Sequence, residues 1–130
     1  MKRVTGIGGI FFKTSDKKKV IDWYSKHLGI ESAEWGATFQ WRDKDNSEKI
    51  GNTAWSPFPA DTKYFSPSEK PFMFNYRVEN LKVLLEELKK EGVQIVGEVE
   101  EFEYGKFGWI MDCDGNKIEL WEPVDEKLIT

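Results

Sequence analysis

The feature that most constrains this chain of 130 residues is an internal repeat. An extended run, a capping residue, an amphipathic helix and a terminal glycine occur in residues 11–29 and again in residues 75–92. The two halves close on similar segments, Trp55-Ser56-Pro57 and Trp121-Glu122-Pro123. Each half is therefore predicted to form a strand and a helix followed by about three strands. Such a unit buries its helix on one sheet face, so that two units can build the opposite face jointly.

The repeat predicts one α+β domain over residues 1–130, made of two tandem modules. The first module spans about residues 4–57 and the second about residues 72–124. Residues 58–71 are expected to connect them, because residues 56–71 hold four of the five prolines and have no clear hydrophobic period.

Helices are predicted where an apolar stripe at helical spacing lies between an N-cap and a glycine. The first is Lys17–Leu28, in which Trp23 and Tyr24 are expected to be core residues, and the second is Leu81–Glu91. Residues 100–106 are interpreted as an acidic loop. Strands are predicted at Val4–Thr14, Ala37–Arg42, Gly51–Trp55, Phe72–Glu79, Val93–Val99, Phe107–Asp112 and Lys117–Glu122.

The last two strands form a predicted hairpin around Asp114-Gly115-Asn116, because Gly and Asn tolerate the positive φ of a tight turn. Side chains alternate along a strand, so Glu119 should share a face with Lys117 and Trp121. Ile118 and Leu120 should then point to the opposite face.

The composition of the chain limits the classes of function that it can have. A net charge of −4 and a pI near 5.1 give no electrostatic support for binding nucleic acid. No apolar window has the length of a membrane-spanning helix, so no membrane partner is expected. The N-terminus lacks the apolar run of a signal peptide, and a single cysteine excludes an intrachain disulfide. We therefore expect a cytoplasmic protein. Six Trp, nine Phe and four Tyr exceed the needs of a small core, which favours a pocket or an interface.

Two segments carry a family resemblance. Residues 107–123 resemble a closing signature of Asp, two residues, Gly-Asn and an apolar-Glu-Leu strand, and residues 16–30 resemble the first helix of the same family. With the repeat, they make the chain similar to the vicinal oxygen chelate superfamily of glyoxalases, bleomycin-resistance proteins and extradiol dioxygenases. The resemblance implies two βαβββ modules whose mixed sheet curls into a cup with the helices on its outer face. It also implies a homodimer.

The resemblance places the metal ligands of the family's enzymes at Gly9, Thr53, Met73 and Glu119. Glu119 is the only usual ligand among them, and a catalytic divalent ion needs about three ligands from His, Glu or Asp. No cofactor is therefore expected, and a divalent metal is disfavoured. The only histidine, His27, lies in the last turn of the first helix, where a helix-end role is expected.

Glu119 has two interpretations. As the candidate catalytic residue it is a general base or a hydrogen-bond acceptor for a ligand, with a pKa raised by burial. Alternatively it is a relic carboxylate neutralised by Lys13 or Arg77, which alternation places on the same face.

The remaining candidates are predicted to line the cup and bind a ligand, although a core or a dimer interface explains the aromatic residues equally well. Trp41 and Trp109 lie near strand ends, where alternation is less regular. The candidate ligand-binding residues are Phe11, Lys13, Trp55, Met73, Asn75, Arg77, Trp109 and Trp121.

These observations predict a glyoxalase- or bleomycin-resistance-like protein with a degenerate metal site, which binds an apolar or aromatic small molecule in a cup lined by Trp and Phe. The alternative is a lyase, isomerase or dioxygenase-type enzyme of the same fold. Such an enzyme would act on a small carbonyl compound or a natural product, with Glu119 as base or metal ligand.

Overall fold

The computed structural model describes residues 2–127, which contain seven strands and two α-helices in one curled sheet. A short 3-10 helix, Asp125–Lys127, follows the last strand. The elements in chain order are β1 (Val4–Thr14), α1 (Lys17–Leu28), β2 (Ala37–Arg42), β3 (Ile50–Pro59), β4 (Phe72–Val78), α2 (Leu81–Lys90), β5 (Ile95–Phe102), β6 (Gly105–Met111) and β7 (Lys117–Pro123).

The strand order is β2-β3-β1-β4-β7-β6-β5, and the sheet does not close into a barrel. β1 pairs with β3 in parallel and β4 pairs with β7 in parallel, whereas β1 and β4 are antiparallel at the centre. The first strand of each half thus pairs with the last strand of the same half. The predicted α+β class with a curled mixed sheet is confirmed.

The first half has two strands after its helix, one fewer than expected. Between α1 and β2 there is only an isolated bridge, from Ala33 to Gly36. Gly36 has a φ of 137°, and a Cβ there would lie 2.1 Å from the Trp55 carbonyl oxygen. This tight turn against β3 takes the place of a further strand.

Both helices begin at the predicted caps. The Asp16 carboxylate accepts a hydrogen bond from the Lys19 amide (3.0 Å), and Gly29 closes α1 with a φ of 70°. Asn80 accepts a bond from the Val83 amide at 3.3 Å, and Glu122 accepts one from the Leu81 amide at 2.8 Å.

α2 packs closely on the outer face of the sheet. Leu81 and Leu84 are buried against Val78 and Leu120. A Cβ on Gly108 would approach the Leu85 side chain to 2.9 Å, so this glycine permits the close approach of α2.

α1 packs more lightly, and the expectation that Trp23 is a core residue was wrong. No residue of α1 is buried, and Trp23 is 50% exposed. Tyr24 contacts the sheet, with its ring centroid 4.9 Å from that of Trp55 in β3. Trp23 lies beside His27 at 4.8 Å, on the solvent side of the helix.

The closing hairpin is confirmed. The Asp112 carboxylate accepts hydrogen bonds from the amides of Asp114 and Asn116, both at 2.8 Å, and Gly115 has a φ of 78°. The turn between β5 and β6 is shorter than the predicted loop, because β5 continues to Phe102 and pairs there with Gly105. Most of the predicted loop at residues 100–106 is therefore strand.

No helix within residues 2–127 is long and apolar enough to span a membrane.

Candidate functional site

Most of the predicted site residues lie together on the concave face of the sheet. Phe11, Met73 and Trp109 are buried in one apolar cluster with Phe65. Farther along the face, the register pairs Asn75 with Glu119 and Arg77 with Trp121. These pairs place the polar residues of β4 directly beside those of β7.

Trp55 is placed differently from these residues. Trp55 packs on Tyr24 and Phe12, on the side of the sheet that α1 covers, and so does not line the cup. Its neighbour Ala54 packs against the concave cluster instead, and adjacent residues of a strand face opposite sides. The Lys13 ammonium lies over the Phe65 ring at 5.7 Å, near the connector.

Glu119 is 2% exposed and holds the centre of the polar group. Its Oε1 accepts a hydrogen bond from the Asn75 amide at 2.7 Å, and its Oε2 accepts one from the Trp109 indole at 2.9 Å. The Tyr64 hydroxyl donates a further hydrogen bond to Oε2. Three neutral donors therefore satisfy the carboxylate, and neither Lys13 nor Arg77 pairs with it.

Lys117 is the cation that acts on Glu119. The Lys117 ammonium lies 5.3 Å from the centroid of the Tyr64 ring and 5.7 Å from that of the Trp109 ring, and it donates to the Tyr64 carbonyl at 2.7 Å. Sequence alternation had placed Lys117 on this face.

Burial shifts the titration of all three groups. It raises the pKa of the Glu119 carboxyl, although the three hydrogen bonds and Lys117 act in the opposite direction. Burial, together with the adjacent Glu119 charge, raises the pKa of the Tyr64 phenol. Burial also lowers the pKa of the Lys117 ammonium. Burial therefore favours the neutral form of each of the three groups.

Arg77 belongs to a second polar group, nearer the end of β7. Its Nη1 donates to Asp125 Oδ1 at 2.8 Å, and Asn52 donates to the same oxygen at 2.9 Å. The guanidinium lies 4.9 Å from the Trp41 ring centroid and 5.3 Å from that of Trp121. Arg77 is thus paired with a carboxylate and lies within cation–π distance of two indoles.

An open groove of about 1030 Å³ adjoins this second group. Arg77, Trp41 and Asp125 line it, together with the first residues of β1 and the loop between β2 and β3. Neither Glu119 nor Tyr64 lines the groove. The concave face therefore has a closed region around Glu119 and an open region around Arg77.

Sequence reasoning missed Tyr64 and Asp125. Tyr64 lies in the connector, where no periodicity indicates which residues face inward, and Asp125 lies just beyond the last strand. The clustering of Phe58, Tyr64 and Phe65 near the prolines was the available signal, since aromatic side chains bury a large apolar area when they pack.

The structure, unlike the sequence, has clear relatives. The sequence matches no protein-family model and no curated protein. Methylmalonyl-CoA epimerase from Mycobacterium tuberculosis superposes with a TM-score of 0.63 at 20% identity, over 96% of this chain and 92% of that one. A Streptomyces coelicolor methylmalonyl-CoA epimerase in complex with 2-nitronate-propionyl-CoA superposes with a TM-score of 0.68 at 15% identity, over 93% of this chain and 99% of that one.

A Vibrio splendidus 12B01 member of the glyoxalase/bleomycin resistance protein/dioxygenase superfamily gives a TM-score of 0.57 at 11% identity, over 89% of this chain and 97% of that one. The chain has the vicinal oxygen chelate fold. At these identities the similarity establishes the fold alone, so function has to be argued from the residues of the site.

The vicinal oxygen chelate fold of this chain does not carry a fitting donor set for a catalytic metal. Of the four positions named above, Gly9 has no side chain and Met73 is completely buried in the apolar cluster. Within residues 2–127, no group of three or more His, Cys, Asp or Glu side chains is arranged to hold an ion. The neighbours of Glu119 are hydrogen-bond donors, whereas a metal requires electron-pair donors.

Proposed function

We propose that this chain is a small-molecule-binding protein of the vicinal oxygen chelate fold with a degenerate metal site, and that its ligand occupies the open groove. The proposal rests on the residues that form the floor of this groove. A buried Arg77–Asp125 pair lies there beneath the Trp41 indole, next to about 1030 Å³ of open space. Pockets of roughly 300–1,000 Å³ with a few fixed polar groups are typical of small-ligand sites.

The contacts of the floor indicate a ligand with both an aromatic and a polar part. Trp41 is held in place by a hydrogen bond from its indole to the Thr53 hydroxyl (2.8 Å), and its ring covers Gly51. A rigid indole offers stacking area to a flat ligand at low entropic cost. Around the rim, Arg42 and Lys49 stand among Asp43 and Glu126, so that the groove offers partners for groups of either charge.

Binding can be tested with a panel of aryl and heteroaryl compounds, screened by saturation-transfer NMR and followed by calorimetry. The Trp41→Ala variant should weaken the hits at least tenfold, because it removes the stacking surface. Trp23→Ala is the matched control, since Trp23 lies on the outer side of α1 and is 50% exposed. Hits that bind equally well to wild type and Trp41→Ala would contradict the groove as the site.

The degenerate metal site makes a separate prediction. Purified protein incubated with Zn²⁺, Mn²⁺, Ni²⁺ or Fe²⁺ and then desalted should retain well under one ion per chain by elemental analysis. Glu119 alone supplies a usual ligand, and its oxygens already accept three hydrogen bonds. A stoichiometric ion that is lost in Glu119→Gln would show that the proposal is wrong.

One observation favours an enzyme as the second candidate. Glu119 is a buried carboxyl with a raised pKa, bonded to the hydroxyl of Tyr64, and such pairs serve as general acids or bases. An isomerase or lyase acting on a small carbonyl compound would use Glu119 as its base. Tyr64 would then have to leave the carboxylate before a substrate could reach it. Turnover of a carbonyl substrate, abolished in Glu119→Gln, would establish this candidate.

The single cysteine, Cys113, is free and exposed, which is the state expected in a reducing compartment. We propose a cytoplasmic location on this ground.

A further inference from the structure

The ring of Tyr64 sits in the closed region as a bound ligand would. Its hydroxyl donates to the Glu119 carboxylate, deep in the concave face. One face of the ring stacks on Phe58, with centroids 5.6 Å apart and an interplanar angle of 10°. The Trp109 ring packs edge-on against the Tyr64 ring, with centroids 6.2 Å apart and an interplanar angle of 87°. The Lys117 ammonium lies 5.3 Å from the centroid of the Tyr64 ring. These four contacts surround a single phenol group, and together they form a slot shaped for one aromatic ring.

Tyr64 enters this slot from the connector and not from the sheet. The residue is 38% exposed, whereas the adjacent Phe65 is completely buried and anchors the segment. The backbone carbonyl of Tyr64 is held separately by Lys117, at 2.7 Å. Because no strand pairing depends on the Tyr64 side chain, rotation about its side-chain bonds can empty the slot while the sheet and the connector backbone stay in place.

The emptied slot would keep its recognition groups. The Asn75 amide and the Trp109 indole would still hold the Glu119 carboxylate, at 2.7 and 2.9 Å. Its Oε2 would lose one donor, at the position where the Tyr64 hydroxyl now lies. Oε2 would keep the bond from the Trp109 indole but could accept a second hydrogen bond, which favours a ligand that brings an O–H group on an aromatic ring.

We propose that this slot is a binding site for a neutral phenolic ligand, and that Tyr64 competes with the ligand from within the same chain. The site is distinct from the groove of the proposed function, since neither Tyr64, Glu119 nor Trp109 lines that groove. The ligand enters as the neutral phenol, because a phenolate would stand against the Glu119 carboxylate. The raised pKa of the Tyr64 phenol in the same position has this cause in part, after burial.

The first experiment compares phenol and toluene by calorimetry with the Tyr64→Ala variant. Phenol should bind this variant at least tenfold more tightly than it binds wild type, because the internal competitor is gone. Toluene, which fits the slot but has no hydroxyl, should bind the variant at least tenfold more weakly than phenol. Equal affinities for phenol and toluene would reduce the slot to an apolar cavity and overturn the proposal.

The second experiment uses wild-type protein and does not depend on the folding of a cavity variant. With ring-¹³C-labelled tyrosine, and the Tyr64 signals assigned through Tyr64→Phe, phenol should shift the Tyr64 signals as the ring leaves the slot. Tyr104, which is 40% exposed on the β5–β6 turn, serves as the internal control. Tyr64 signals that stay unchanged up to the solubility limit of phenol would overturn the proposal, even if Tyr64→Ala binds phenol.

The conservative variant Tyr64→Phe gives a third comparison. It keeps the ring in the slot but loses the bond to Glu119, so phenol should bind it several-fold more tightly than it binds wild type. 4-Nitrophenol at a pH where it is ionised should bind all three proteins more weakly than phenol. Trp23→Ala, on the outer side of α1, should leave phenol binding unchanged. The Tyr64 signals report on the slot alone, because Tyr64 does not line the groove, and they therefore separate a failure of this proposal from a failure of the groove.

Discussion

At the scale of single residues, the central feature is a buried acid that is satisfied by neutral groups. Glu119 accepts hydrogen bonds from an amide, an indole and a phenol, and the cation that lowers its pKa, Lys117, donates to a backbone carbonyl. Burial destabilises the charged carboxylate more than the neutral carboxylic acid, so the pKa of Glu119 rises. The acid is consequently placed to receive hydrogen bonds, and it lacks the partners that would make it a metal ligand.

This environment predicts how the stability of the protein varies with pH. The folded-state pKa of Glu119 lies above its ordinary value of 4.5. The stabilisation that it contributes is therefore complete below that value and is lost as the pH rises through the folded-state pKa. The unfolding free energy of wild type minus that of Glu119→Gln should therefore fall as the pH rises above about 4.5, by at most about 1.4 kcal/mol per pH unit.

Urea unfolding of both proteins across this range gives the measurement. Carboxylates with lowered pKa values, such as Asp112 and Asp43, are present in both proteins and cancel in the difference. A difference that stays flat or rises with pH would mean that Glu119 is stabilised in its charged form.

At the scale of elements, β1 is shaped by its glycines. The register of β1 against β4 shifts between Ile7 and Gly9, which leaves Gly8 as an extra residue facing the Asn75 side chain. A Cβ on Gly8 would lie 2.1 Å from Asn75 Oδ1. Asn75 cannot easily yield, because it is 2% exposed and its amide holds Glu119. The bulge thus lets the polar group of β4 and β7 form against the backbone of β1.

Gly8→Ala should therefore destabilise the protein by roughly 1–3 kcal/mol in urea unfolding, as expected for overpacking a tight site. Gly6→Ala is the matched control on the same strand. A Cβ on Gly6 would meet nothing closer than 3.7 Å, at the Arg77 side chain, so its effect should be small. Equal losses in the two variants would show that the contact with Asn75 does not explain the glycine at position 8, because the lower entropy of the unfolded chain would by itself make both variants more stable.

Local signals predicted the elements well where the local chemistry is strong. The caps Asp16 and Asn80 and the glycine of the hairpin turn act within a few residues, so their positions follow from the sequence. The length of β5 does not follow in the same way, because its acidic end pairs with β6 only after the sheet has formed. Pairing across strands overrides the low strand propensity of glutamate.

At the scale of the whole molecule, the two helices leave the middle of the outer face uncovered. Ile10 and Phe74 are paired in register there, at 43% and 40% exposure, and Phe72 stacks on Phe74 at 5.2 Å. Apolar side chains grouped on a sheet face are typical of an interface. We propose that a second copy of the chain covers this face, in agreement with the homodimer implied by the family resemblance.

Light scattering coupled to size-exclusion chromatography should then give the mass of two chains for wild type. Phe74→Lys should shift the protein toward one chain, because it places a charge in the apolar face. Val83→Lys, on α2 and 42% exposed in wild type, should leave the mass unchanged. A monomeric wild-type protein at micromolar concentration would contradict the dimer.

The sequence by itself determined the repeat, both helices, the closing hairpin and the face on which Glu119 lies with Lys117 and Trp121. These features depend on caps, turns and alternation, which act over a few residues. Only the tertiary structure decided that Tyr64 bonds to Glu119 and that Asp125 pairs with Arg77. It also placed Trp55 under α1 and outside the cup. Those contacts join residues far apart in the chain, from segments without a period, and they form only when the curled sheet brings the connector and the C-terminal segment onto its concave face.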